Sequence, residues 1–260
     1  MRASRHNAII DFFFTAVLIV VLGAAAIILF KYYVFVFHKA SSEAGRAVKQ
    51  VPVLEKYRVQ LVKWFTFKEE NALKEWEEKI FRGRVVYTIE KESGASFVHA
   101  KSDKTASALY YKITLDAKDR TPVIKWRWRV ERFPGKKLPE SLETTPEDDF
   151  AARVYIVFPA KFFTHSKVIE YIWAETLPAG TTGISPYSKN IRLMVLRSGA
   201  DKERPWDVEE RNIIDDYVKL FGEKPRLNVG AVAFMTDADT TQTSADSLYT
   251  DIKLGYREEL

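Results

Sequence analysis

Two patterns of hydrophobic and polar positions divide this chain. The first is a run over residues 12–30, FFFTAVLIVVLGAAAIILF, with no charge and no proline. As a helix rising about 1.5 Å per residue it covers roughly 28 Å, close to the hydrocarbon thickness of a bilayer. The second is an alternation of apolar and polar residues with period two, which dominates from about residue 82 onward and reads as β-structure. It predicts strands over 84–90, 96–101, 108–114, 124–132, 149–158, 168–175, 191–197, 228–236 and 248–254. Turn signals separate them: Glu92-Ser93-Gly94, Phe133-Pro134-Gly135 and Ser198-Gly199-Ala200. One helix is predicted over 208–221, ended by Gly222 with Pro225 beyond. Many short strands without βαβ alternation argue for a mainly β, jelly-roll-like β-sandwich with one or two helices.

The apolar run reads as a single uncleaved transmembrane helix. Ala24, Ala25 and Ala26 mimic a signal-peptide cleavage site, but apolar character resumes at once over 27–30 and 32–37, so cleavage would leave a sticky new terminus. Tyr32 and Tyr33 suit an interfacial aromatic belt, and Lys31 suits snorkelling to the head groups. The expected organisation is a tail at 1–11, an anchor at 12–37, a linker and amphipathic stalk at 38–69, and a β-sandwich domain at 70–258. Basic residues flank the run almost equally. The reading adopted is a single pass through the cytoplasmic (inner) membrane with the domain outside the cytoplasm.

Charge sharpens this division. The net charge is +5. The first 50 residues hold six Lys/Arg against two acids, which leaves 34 basic and 33 acidic groups for the other 210 residues. The excess therefore sits beside the anchor, where anionic lipid head groups are the natural partner. The folded domain has no bulk positive charge for a nucleic acid, and none is expected as a partner. The chain contains no cysteine, which excludes thiol nucleophiles and disulfides.

Parity sorts the strand faces. Trp126, Trp128 and Val130 share one face of their strand, and Lys125, Arg127 and Arg129 the other. Phe150, Ala152, Val154, Ile156 and Phe158 form a core face opposite Asp149, Ala151, Arg153, Tyr155 and Val157. Tyr171, Trp173 and Glu175 alternate with Glu170, Ile172 and Ala174. If these strands are neighbours, one sheet face carries Arg127, Asp149, Arg153, Tyr155, Trp173 and Glu175. Those residues are the candidate ligand-binding set: aromatic rings to stack on a ligand, and charged groups to orient it. Asp149 is four residues from Arg153, roughly 13 Å along a strand, so the expected ion pair for Asp149 is Arg127 across strands.

Catalytic motifs are scarce. Asp237-x-Asp239-x-Thr241 after an apolar strand matches the nucleophile loop of haloacid-dehalogenase-type phosphatases, but too few residues follow for that domain. Asp237 and Asp239, with Asp246 and Asp251 beyond, offer oxygens of the kind calcium takes. Asp237, Asp239 and Asp251 are the candidate metal ligands, set against a turn in which Asp and Thr side chains bond the backbone. No other cofactor is expected. His6, His38, His99 and His165 have no zinc spacing.

The combined motifs resemble the domain-of-unknown-function 3047 family. They are Trp126-Arg127-Trp128-Arg129-Val130, Asp148-Asp149-Phe150-Ala151-Ala152-Arg153-Val154-Tyr155, Tyr171-x-Trp173-Ala174, Trp206 with Arg211-Asn212, and Met235-Thr236-Asp237-x-Asp239. The resemblance spans roughly 76–255 and implies a bacterial envelope β-sandwich without implying a reaction. Thr240 stands where the family pattern has Asn. The function expected is a membrane-tethered, extracytoplasmic binding module for a saccharide or other envelope component. The alternatives are an envelope carbohydrate hydrolase using Asp149 and Glu175 as paired carboxylates, and a structural subunit of a membrane complex.

Overall fold

A computed structural model describes residues 57–162, 165–200 and 206–259. The expected tail, the anchor and the linker up to residue 56 lie outside the described residues. Among those described, no helix is long and apolar enough to cross a membrane. The strands are β1 (Tyr57–Phe65), β2 (Glu77–Arg82), β3 (Val86–Glu92), β4 (Ala95–Asp103), β5 (Ala106–Leu115), β6 (Pro122–Arg132) and β7 (Ala152–Phe158). They continue with β8 (Lys167–Ala174), β9 (Thr182–Ser185), β10 (Ser188–Ser198), β11 (Asp207–Asn212), β12 (Val229–Asp237) and β13 (Ser244–Glu259), and the helix is α1 (Ile213–Phe221).

Two sheets form a β-sandwich. One has six strands in the order β11-β6-β13-β4-β3, with β1 also paired to β13. The other has seven, in the order β2-β5-β12-β7-β8-β10-β9. All pairs are antiparallel except β8 with β10. The core lies between the sheets and is rich in large rings. Trp126, Trp128, Tyr171, Phe234 and Tyr249 are all wholly buried. Rings of this size bury about 150–250 Å² each, roughly 4–6 kcal/mol at about 25 cal/mol per Å². The alternation in β6 puts both tryptophans inward and Lys125, Arg127 and Arg129 outward, as parity predicts.

Three expectations are corrected. Residues 57–65 are not part of a stalk outside the sandwich. They are strand β1, which pairs with β13 and buries Phe65 against Trp76 and Tyr111. The helix starts at residue 213 rather than 208, because Asn212 caps it. Its side-chain oxygen accepts from the N–H of Ile214 at 3.0 Å and of Asp215 at 3.3 Å. Residues 207–212 instead pair with β6 as an edge strand. Gly222, at φ 72°, ends the helix by returning its N–H to the carbonyl of Val218, as expected of a glycine stop. Finally, Phe150 precedes β7 and packs with Leu142, Ile172 and Leu193 on the outer side of the seven-stranded sheet, away from the main core.

Candidate functional site

The expected row of charges and aromatics is divided between the two sheets. Arg153 and Tyr155 lie on β7, whose register pairs Arg153 with Ile172 and Tyr155 with Glu170 of β8. Trp173 pairs with Ala152, so it faces the core, where its ring meets Trp128 at 5.6 Å. Glu175 is exposed just past the end of β8. Arg127 belongs to β6 in the other sheet. Parity alone does not say which strands are neighbours, and that is why the grouping failed.

Arg153 is the centre of a buried polar cluster, itself 3% exposed. Its Nε and Nη2 donate to the two oxygens of Asp237, at 2.9 and 2.8 Å. Nη1 donates to Glu170, and Nη2 also reaches the Asp148 carbonyl at 2.6 Å. Its guanidinium carbon lies 4.8 Å from the Phe150 ring. Burial pushes the Asp148 carboxyl up to about 6, with the Arg153 charge opposing the shift. Asp149 does not pair with Arg127. Its oxygens accept the backbone N–H groups of Thr240 at 3.2 Å and Thr241 at 2.6 Å. A wholly buried, satisfied carboxylate such as Asp149 cannot share an open cleft with exposed Glu175, so the geometry provides no glycosidase pair there. Tyr155 is half-buried and turns its hydroxyl to the Met235 sulfur at 3.6 Å.

Asp149, Asp237 and Asp239 have carboxylate oxygens within 4.8 Å of one another. Asp251, grouped with them on sequence, is far along β13 in the other sheet. Calcium would have to take Asp237 from Arg153 and Asp149 from two backbone N–H groups. The guanidinium already supplies the positive charge that a cation would bring.

Arg127 and Asp251 do meet, on the outer face of the six-stranded sheet. Asp251 occupies a bulge, at φ 51°, where the register of β13 against β6 shifts between Thr250 and Lys253. Its Oδ1 accepts from the Trp64 indole N–H at 3.2 Å and its Oδ2 from Arg127 Nη1 at 3.4 Å. The guanidinium carbons of Arg127 and Arg129 lie 5.3 and 5.4 Å from the Trp206 ring centroid, within cation–π range. Trp206 rests on Phe97 at 5.5 Å. Lys253 Nζ lies 4.3 Å from the Trp64 ring centroid. A continuous row, Trp64–Asp251–Arg127–Trp206–Arg129, therefore crosses this face. Sequence reasoning missed Trp206, Trp64 and Lys253 as site residues. Arg129 carried a usable signal, since it shares the parity of Arg127.

The profile of the family described as "Protein of unknown function (DUF3047)" matches residues 74–253. The chain belongs to that family. The DUF3047 match contains β6, Asp251 and Trp206, and leaves Trp64 on β1 outside it. No curated protein matches the sequence. Among solved structures, the chain is similar to the family 11 carbohydrate-binding module of the cellulosomal cellulase Lic26A-Cel5E of Clostridium thermocellum. Identity is 10% over 76% of this chain and 95% of that one, with a TM-score of 0.39. It is similar to the cellulose induced protein Cip1 at 9% identity, over 75% of this chain and 97% of that one, with a TM-score of 0.42. For TmCBM27, a carbohydrate-binding module described for mannan recognition, the figures are 8%, 77%, 99% and 0.35. These are likenesses of outline alone.

Proposed function

We propose that this DUF3047 domain is a non-catalytic binding module that holds a saccharide against the outer face of its six-stranded sheet, tethered to a membrane by the apolar run at 12–30 and facing away from the cytoplasm. The observation that carries the reading is the row from Trp64 to Trp206. It places two indole rings on one sheet face with a carboxylate and a guanidinium between them. Sugar rings present apolar C–H faces, which stack on indole, and rims of hydroxyls, which accept from guanidinium and donate to carboxylate. Trp64 is 47% exposed, a large apolar area left in water on a rigid strand. The Asp251 bulge holds the polar groups in place before any ligand arrives, which lowers the entropy lost on binding.

The test is a titration of the protein with a panel of soluble oligosaccharides, repeated for Trp64→Ala and Trp206→Ala. The expected result is at least a tenfold loss of affinity for each variant, with Trp64→Ala melting close to the parent. Saccharide affinity unchanged in both variants would remove this face from consideration.

A further inference from the structure

We infer that the saccharide carries carboxylates, so that the ligand class is a uronate-containing chain with a carboxylate seated on Arg127. The inference rests on the binding face proposed above and specifies its chemistry.

The two arginines that flank Trp206 differ in how they are satisfied. Arg129 donates to Glu92 at 3.1 Å and also to Glu131, so two carboxylates of the chain already occupy it. Arg127 has one acidic partner among the described residues, Asp251, at the long distance of 3.4 Å. Its Nε is out of contact with water and finds no acceptor among the described residues. That shielding keeps a ligand from Nε as well, whereas Nη2 has no hydrogen-bond partner among the described residues and is not shut off from solvent, so it is the donor open to an incoming acceptor. Its side chain remains 35% exposed, so part of the group is open to an incoming ligand.

Lys253 adds a second cation. It sits over the Trp64 ring and has no carboxylate partner among the described residues. Its neighbour across the strands, Lys125, is neutralised by Glu210 at 3.0 Å. Between the two indoles there are thus, among the described residues, two cations, Arg127 and Lys253, against the single carboxylate of Asp251. A neutral sugar would leave that local excess uncompensated. A uronate ring supplies a stacking face for indole and a planar carboxylate matched to the guanidinium fork.

The experiment uses the full-length protein in detergent and three uronate polymers: alginate, polygalacturonate and hyaluronan. Each is paired with its carboxyl-reduced counterpart, and neutral glucan, mannan and galactan are included. The expected result is that at least one uronate polymer binds tenfold or more tightly than its reduced form. That preference should collapse in Arg127→Gln, weaken in Lys253→Gln, and fall as salt is raised from 0.05 to 0.5 M, on the order of a Debye-screening effect. Lys253→Gln guards against misfolding, because its side chain holds no ion pair among the described residues. Equal binding of acid and reduced polymers overturns the inference and leaves the saccharide face standing. Binding of none of the polymers, neutral ones included, overturns both.

Discussion

Arg153 grips Asp237 through two parallel hydrogen bonds, Nε to Oδ1 at 2.9 Å and Nη2 to Oδ2 at 2.8 Å, joining β7 to β12 at a point closed to solvent. The pair is fork to fork, and the same guanidinium also serves Glu170 and the Asp148 carbonyl. Removing it leaves at least two buried carboxylates without a cation. Arg153→Met is expected to cost about 3–5 kcal/mol in urea unfolding. Arg153→Lys should recover little of this, because a single ammonium cannot bridge both oxygens of Asp237 and reach Glu170. A loss below about 1 kcal/mol for Arg153→Met would show that the cluster is not a structural anchor.

Asp148 gives a pH dependence with a definite sign. Its folded-state value is raised to about 6 from an ordinary 3.8, chiefly by burial. The folded state therefore holds this proton more tightly than the unfolded chain does. The resulting stabilisation is complete below about pH 3.8 and is lost as pH rises through about 6. Asp148→Asn keeps the backbone carbonyl that Arg153 uses. Relative to the parent it should gain stability between pH 4 and pH 7, by on the order of 2–3 kcal/mol. Parallel thermal melts across that range check it, and a constant difference between the two proteins contradicts the assignment.

The architecture was largely legible, and the grouping of side chains was not. Strand β6 announces itself in KWRWRV, where aromatic and basic residues alternate without a break. β7, β8 and β12 are likewise readable, because each has a buried face. The strands that escaped prediction are β1, β2, β9 and β11, all at sheet edges or off the main path, where one-sided burial is weak and period-two patterning fades. In β11 the sequence DVEERN has acids that suit a helix start as well as an exposed edge, and the capping oxygen of Asn212 decides where the helix begins. Arg127 and Asp251 were each singled out on sequence for different reasons, ligand binding and metal binding. That they meet depends on pairing between β6 and β13, more than a hundred residues apart. Trp206 left no trace in any periodicity, because it precedes its strand and lies across the sheet.

Metal addition separates the two readings of the Asp237 loop. Because Arg153 and backbone N–H groups occupy Asp237 and Asp149, millimolar calcium is expected to leave the melting temperature unchanged, and a chelator likewise. A calcium-dependent rise equivalent to about 1 kcal/mol or more would mean that the ion displaces the guanidinium.

Gly255 on β13 is expected to be intolerant of a side chain. A Cβ there would lie 2.4 Å from the Gln60 carbonyl oxygen and 3.0 Å from Val59 Cγ1 on β1. Gly255→Ala should push β1 off the sheet at a cost of about 1–3 kcal/mol. Limited proteolysis should then cut within 57–65 faster than in the parent. Unaltered cleavage there would show that β1 absorbs the methyl by sliding.

Strand β13 comes last in order among the described elements, and it is the one that pairs with β6, β4 and β1. Without it the six-stranded sheet falls into three pieces, β11-β6, β4-β3 and β1, with no strand pairing between them. A ribosome adding about 5–20 residues per second finishes β6 several seconds or more before β13 begins to emerge. Throughout that interval Trp126 and Trp128 have no completed sheet behind them. Closure of this sheet therefore waits for β13, and a chain cut within residues 244–259 loses the staple of the whole layer.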